Sequence, residues 1–245
     1  AYDAVIDLQG LTKSALVSWL SRVCVGGLRF GMANQTEGSG FEAPARWVTD
    51  HAVTLEPHVH AVQRARLVCA ESLDYTLQGE PVFGLLPGKL AQAQPRASGK
   101  HKLLTNPGAA VNPFVPRKPV VALVHGTSRP DKEWPLAAWI ELGRRLNHSG
   151  FCVALAHGSA AEKAVSVQIA AALQDAWVWP TLAVDALTDN MAQCAGVIGV
   201  DSGLSHIAVA LGLPHVQIYN FDTAWRNGVH NAAQVCVYAQ PTPDV

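Results

Sequence analysis

The chain has 245 residues, 49% of them hydrophobic and 15% charged, with a formal net charge of -1. That composition belongs to a globular protein with a sizeable core, and the length suits two modest domains or one large one. A pI near 6.9 gives no global electrostatic footprint for nucleic acid, so nucleic acid is set aside as a partner.

No apolar stretch reaches the roughly 18 to 20 residues that a membrane-spanning helix needs. The five cysteines, Cys24, Cys69, Cys152, Cys194 and Cys236, are scattered and form no CxxC pair. They read as buried reduced thiols of a protein kept in a reducing compartment, with no zinc site. The chain opens on Ala1-Tyr2-Asp3 directly before a strand pattern and without a Met, so a fragment lacking its true N-terminus is expected.

In chain order, YDAVIDLQ (2–9) predicts a strand, and LTKSALVSWLSRV (11–23) a helix with Leu16, Leu20 and Val23 on one stripe. A Gly-rich connection then leads to a strand at Leu28–Met32. Residues 33–57 read as an irregular, functional-type loop, and HVHAVQRARLVCAESL (58–73) as a helix with Val62, Ala65, Val68 and Cys69 together. From about 79 to 118 the texture turns to Pro, Gly, Lys, Gln and Asn, the mark of an interdomain linker. The chain is therefore divided into a domain at 1–90, a linker at 91–118 and a second domain at 119–245.

Beyond the linker the pattern alternates. Strands are predicted at 119–126, 152–158, 197–201 and 215–220, and helices at 135–150, 162–174, 187–196 and 204–212. Short apolar strands alternating with helices predict an α/β fold with a parallel sheet covered on both faces. In such sheets ligands bind outside the carboxyl ends of the strands, and there the sequence is polar: HGTSRPDKEWP after the first strand, HGSAAE after the second, DSGLSH after the third and NFDTAWR after the fourth.

The first three of these segments carry alternative readings. Thr127, Ser128 and Lys132 offer hydroxyls, amides and one mobile cation, which a diphosphate needs; an ordinary strand-to-helix loop is the alternative. Ser202 either caps the helix starting at Leu204 or, with Gly203 letting a ligand approach, leaves the amides of that terminus to an anion. Gly199-Val200-Asp201-Ser202-Gly203 also has the spacing of a hydrolase nucleophile elbow with Asp201 as nucleophile. Glu162 reads as a ribose-binding carboxylate or as a favourable acid at a helix start. His125 reads as a satisfied strand-end histidine, and the remaining histidines are too dispersed for a metal cluster.

Five ordered segments, YDAVIDLQGLTKSA (2–15), HAVQRARLVCAESLDY (60–75), HGTSRPDKEWP (125–135), HGSAAE (157–162) and GVDSGLSHIAVALG (199–212), together resemble the lipopolysaccharide heptosyltransferases of glycosyltransferase family 9. The nearest likeness is to the heptosyltransferase I branch. The resemblance implies the GT-B type, two Rossmann-like doubly wound domains, with the N-terminal one incomplete here. It implies inverting transfer of L-glycero-D-manno-heptose from ADP-heptose to Kdo of Kdo-lipid A, without a metal or other cofactor, by a monomer at the cytoplasmic face of the inner membrane.

Carried over position by position, the resemblance gives Thr127, Ser128 and Lys132 the diphosphate, Glu162 the ribose, and Ser202, Gly203 and Leu204 the phosphates at the helix terminus. His206 becomes a further phosphate-side group, and Asp201 contacts the heptose or Lys132. Lys132 and Asp201 are the candidate catalytic residues. Lys13, Arg64 and Arg66 are candidates for the anionic acceptor, with solvated helix charges as the alternative; Trp19 and Trp47 are candidates for lipid or sugar, with core aromatics as the alternative. Two departures stand out. The family's first strand and acidic base would precede residue 1, and its closing helix would follow PTPDV. In addition, NFDTAWR replaces the commoner GPT-type loop.

Overall fold

The computed structural model describes residues 1–85, 118–229 and 231–239. Most of the predicted linker, and the terminal PTPDV, lie outside these residues. The chain divides into two units, Ala1–Pro81 with Trp225–Asn227, and Val82–Ala224 with Gly228–Val245.

The first unit is built on a parallel three-stranded sheet, β1 (Tyr2–Asp7), β2 (Val23–Met32) and β3 (His51–Val53), in that spatial order. Helices α1 (Thr12–Leu20), α2 (Ala43–Trp47) and α3 (Ala61–Ser72) accompany it. The Gly-rich segment is not a connection, because β2 already begins at Val23. Register against β1 shifts between the pairs Tyr2 with Val23 and Ala4 with Leu28. Gly26 has φ +82, and a Cβ on Gly27 would lie 2.8 Å from the Tyr2 carbonyl oxygen, so the two glycines form the bulge that lets a long strand follow a short one.

The expected stripe on α1 is also reversed. Leu16 and Leu20 are exposed, and the helix buries the small residues Ala15 and Ser18 instead. The core of this unit is Met32, Val53, Leu55 and the α3 residue Val68, with Ile6, Phe41 and Leu67 packed around them. The loop read as irregular contains α2 and β3, too short to show a period.

The second unit carries a parallel six-stranded sheet. Its strands are β4 (Val120–Val124), β5 (Cys152–Leu155), β6 (Ala176–Val178), β7 (Gly196–Val200), β8 (His215–Tyr219) and β9 (Gln234–Tyr238), in spatial order β6-β5-β4-β7-β8-β9. Its helices are α4 (Leu136–His148), α5 (Ala160–Ala171), α6 (Val184–Met191) and α7 (Gly203–Ala210), while all but the first residue of α8 (Ala224–Asn227) belongs to the first unit. Numbered within the unit, the strand order is 3-2-1-4-5-6, the doubly wound Rossmann order, and its direction reverses between β4 and β7.

Strand alternation gives each face its own core. Val121 and Leu123 of β4 pack with Trp139 of α4 and Ile169 of α5, while Ala122 and Val124 pack with Leu187 and Met191 of α6 and Ala208 of α7. The fully buried Trp139 meets Trp134 edge-on at 5.0 Å between centroids, which ties the segment between β4 and α4 to the core. Both β6 and β9 were absent from the predicted elements.

All five cysteines are free, but only Cys194 and Cys236 are buried; Cys24, Cys69 and Cys152 are partly exposed. Burial pushes the Cys194 thiol up to about 12, which makes it chemically inert.

Candidate active site

Reversal of strand order between β4 and β7 opens a crevice at their carboxyl ends, and two strand-exit segments meet there. After β4, a single 3-10 turn (Pro130–Lys132) presents Lys132. Pro130 presets the turn, the Lys132 amide donates to the Arg129 carbonyl at 3.0 Å, and the Arg129 guanidinium forks onto the Asp131 carboxylate. After β7 comes Asp201, buried at 6% exposure.

Lys132 Nζ donates to Asp201 Oδ2 at 2.5 Å. The Thr127 hydroxyl donates to the Asp201 backbone carbonyl at 3.3 Å. On the other side of the carboxylate, His206 Nε2 lies 3.5 Å from Asp201 Oδ1, and Gln217 Nε2 reaches the same oxygen at 3.5 Å. Burial alone would raise the pKa of Asp201, but the hydrogen bonds and charges of His206 and Lys132 outweigh it and hold the carboxyl at about 2. Asp201 is therefore an ionised anchor at neutral pH and a weak proton acceptor.

The helix that follows, α7, has Ser202 at its N-cap position, yet the serine side chain makes no capping hydrogen bond. Its buried Oγ has no partner. Simple capping is thus not what Ser202 does, and the first amides of α7 carry no side-chain cap. A Cβ on Gly203 would meet nothing within 4 Å, so the surface in front of those amides is open. Asp201 does not have the positive φ of a strained elbow; among the described residues only Asp74 combines a side chain with positive φ. The nucleophile-elbow reading of Asp201 fails on that point.

Glu162 opens α5 in a variant of the capping box. Its amide donates to Ser159 Oγ at 3.2 Å, and its Oε2 accepts from the Gly158 amide at 2.6 Å. A Cβ on Gly126 would fall 2.6 Å from the Glu162 Cδ, so a glycine after β4 leaves room for a carboxylate arriving from the β5 side. His125 is the satisfied histidine anticipated: its Nε2 lies 2.7 Å from Ser166 Oγ, and burial lowers its pKa. Ser128 is exposed beside Thr127, and Leu204 is half-buried on α7. The second unit thus brings Thr127, Lys132, Asp201 and His206 into one connected group, with Ser202 and Gly203 at the adjoining helix terminus.

The remaining candidates lie in the first unit. Lys13 is exposed on α1. Arg64 is partly buried and donates to Thr36 Oγ1 at 3.1 Å. Arg66 donates to the Gln78 and Gly79 carbonyls at 3.2 and 2.9 Å, so it fastens the segment after α3. Trp19 and Trp47 are 60% and 79% exposed, which rules out the core-aromatic reading of both. Asp7 is buried; its Oδ1 accepts from the Gln9 and Gly10 amides and its Oδ2 from the Ser14 hydroxyl. Among the described residues there is no group of three His, Cys, Asp or Glu side chains able to hold a metal.

The model of glycosyltransferase family 9 (heptosyltransferase) matches residues 1–244. The chain belongs to glycosyltransferase family 9. Lipopolysaccharide heptosyltransferase 1 of Pseudomonas aeruginosa is 32% identical over 96% of the chain and 59% of its own length. The E. coli heptosyltransferase WaaC solved with ADP superposes with a TM-score of 0.76 at 27% identity, over 98% of this chain and 67% of its own. WaaC with ADP-2-deoxy-2-fluoro heptose gives 0.73 at 26%, over 98% and 66%. The fold is accordingly of the GT-B type, with parallel α/β sheets in both units. The chain spans about 60% of the length of the curated relatives it matches.

Two contributors escaped the sequence reading. Gln217 lies inside β8, where an apolar run gave no reason to single it out. Asn220, the first residue after β8, donates from Nδ2 to the Asp131 and Glu133 carbonyls at 2.9 and 2.8 Å. Its place at a strand exit was the one available signal.

Proposed function

We propose that the protein is an inverting heptosyltransferase that moves L-glycero-D-manno-heptose from ADP-heptose to Kdo of Kdo-lipid A. The observation that carries the reading is the Lys132 to Asp201 ion pair at the β4/β7 switch point, beside an α7 N-terminus without a side-chain cap. A leaving nucleoside diphosphate needs one mobile cation and a set of fixed amide donors, and both converge there. The relatives support the donor class, since WaaC is solved with ADP and with a fluorinated ADP-heptose.

In this reading the bond between the heptose anomeric carbon and the diphosphate breaks as the acceptor hydroxyl attacks from the opposite face, and a base takes the acceptor proton. Lys132, Thr127, Ser128 and the amides at Ser202, Gly203 and Leu204 receive the departing charge, with His206 on the same side. Asp201 fixes the Lys132 ammonium rather than moving a proton, because a carboxyl held at about 2 is a poor base at neutral pH. Glu162 Oε2 is engaged by Gly158, so Oε1 is the oxygen offered to a ribose hydroxyl.

Residues 119–245 take the nucleotide sugar, residues 1–90 take the acceptor with Lys13 and Arg64 toward its anionic groups, and 91–118 link them. Work at the cytoplasmic face of the inner membrane by a peripheral monomer belongs to the same proposal; no helix among the described residues is long and apolar enough to cross a membrane. Charge neutralisation is assigned to Lys132 and the amides without a metal, and transfer assayed with and without a chelator checks that assignment.

The test is calorimetric titration of ADP against UDP, followed by transfer from ADP-heptose to Kdo-lipid A. Lys132→Ala is expected to weaken ADP by roughly 10- to 100-fold, the worth of one charge-assisted contact. Unchanged affinity and rate in that variant remove Lys132 from the site.

A further inference from the structure

We propose that Asn220 is a positioning residue for Lys132: its side-chain amide clamps the 3-10 turn from both sides of the lysine and so sets where the ammonium meets the donor diphosphate. The proposal rests on the reading of Lys132 given above. Asn220 follows Tyr219, the last residue of β8 and one of the fully buried side chains, so its backbone starts from a fixed point. From there its two amide protons serve two carbonyls, Asp131 at 2.9 Å and Glu133 at 2.8 Å, the residues immediately before and after Lys132.

The turn needs such support. A three-residue 3-10 helix has little internal bonding, here the Lys132 amide to Arg129 and the Glu133 amide to Pro130, each at 3.0 Å. Lysine itself has a flexible four-carbon stem, so the position of its backbone decides where the charge can dwell. Asp201 holds the far end at 2.5 Å, and Asn220 holds the near end. Two strand exits, β7 and β8, therefore fix a cation that a third, β4, supplies. Asn220 also belongs to NFDTAWR, the segment in which this chain departs from the GPT-type loop.

A double-mutant cycle on ADP affinity separates positioning from general support of the fold. Asn220→Ala is expected to weaken ADP by roughly 3- to 10-fold, the loss of ordinary hydrogen bonds. Asn220→Asp, which turns an oxygen toward two carbonyl oxygens, is expected to weaken it more. In a Lys132→Ala background, Asn220→Ala should cost no further affinity, because the group it positions is gone. Thermal unfolding of each variant identifies any that fails to fold, and the two replacements at 220 give independent readings.

Wild-type affinity in Asn220→Ala, or a full additional loss in the Lys132→Ala background, overturns the proposal while leaving Lys132 in the donor site. Wild-type affinity in Lys132→Ala alone overturns the donor-site reading and the proposal with it.

Discussion

Gly203→Ala is expected to separate stability from ligand binding in opposite directions. Gly203 opens α7 without a positive φ, and an added methyl would meet no protein atom within 4 Å. Alanine can adopt that conformation, and it removes conformational freedom from the unfolded chain. The variant should gain about 0.4–1 kcal/mol, a rise of roughly 1 to 4 °C in Tm. The same methyl stands in front of the α7 amides, where a phosphate oxygen would approach, and crowding a close contact costs about 1–3 kcal/mol. ADP should therefore bind roughly 5- to 150-fold more weakly. Differential scanning calorimetry and isothermal titration on the same preparation give both numbers. Gly199→Ala is the internal contrast: its methyl would lie 2.5 Å from Ser205 Oγ and 2.9 Å from Val124 Cβ, so that variant should lose stability. A Gly203→Ala protein that is more stable and binds ADP with wild-type affinity would refute the placement of the diphosphate at this helix terminus.

Two further outcomes follow from the carboxylates. Because the folded-state pKa of Asp201 is depressed from 3.8 to about 2, its charge stabilises the fold above pH 4, and that contribution disappears as pH falls toward 2. The stability difference between wild type and Asp201→Asn should shrink by about 2 kcal/mol over that window, read from denaturant titrations at stepped pH; a constant difference would contradict the assignment. Glu162→Gln keeps an oxygen for the Gly158 amide, so its Tm should stay near wild type while the KM for ADP-heptose rises about tenfold. Equal binding of ADP and its 2'-deoxy analogue to the wild type, with no effect of the substitution, would leave Glu162 only its capping role.

The contrast between the two units explains how far the sequence could be read. In the second unit β4, β5, β7 and β8 are buried on both faces, so each appears as a short apolar run closed by polar residues, and those polar residues hold the candidate site. The edge strand β9 alternates instead, burying Gln234 and Cys236 and exposing Val235 and Val237, which hides it from a search for apolar runs. In the first unit, α1 packs through Ala15 and Ser18 while its large side chains face outward, so amphipathic reasoning chose the wrong face. The glycines at 26 and 27 looked like a loop because a bulge and a turn require the same residue. Lys132 and Asp201 are legible as lips of a sheet, but the sequence does not decide whether Asp201 meets Lys132 or the heptose. Asn220 was legible only as the first residue of a strand exit, since its partners lie 87 and 89 residues away and no local spacing encodes such a contact.

The bonds that Asp201 makes to Lys132 and Thr127 span 69 and 74 residues of chain, and this distance bears on the order of folding. Pairing of β7 with β8, and of β4 with β5, closes much shorter loops than pairing of β4 with β7 does. Loop closure grows more costly with length, so the two halves of the sheet are favoured to form before they join. The crevice proposed for the nucleotide lies on that last seam. A half-assembled unit has hydrogen-bonded strands and covering helices but no place where Lys132 meets Asp201, so under the proposed function ADP would draw its stabilising effect from the completed sheet alone and act as a reporter of the final docking event.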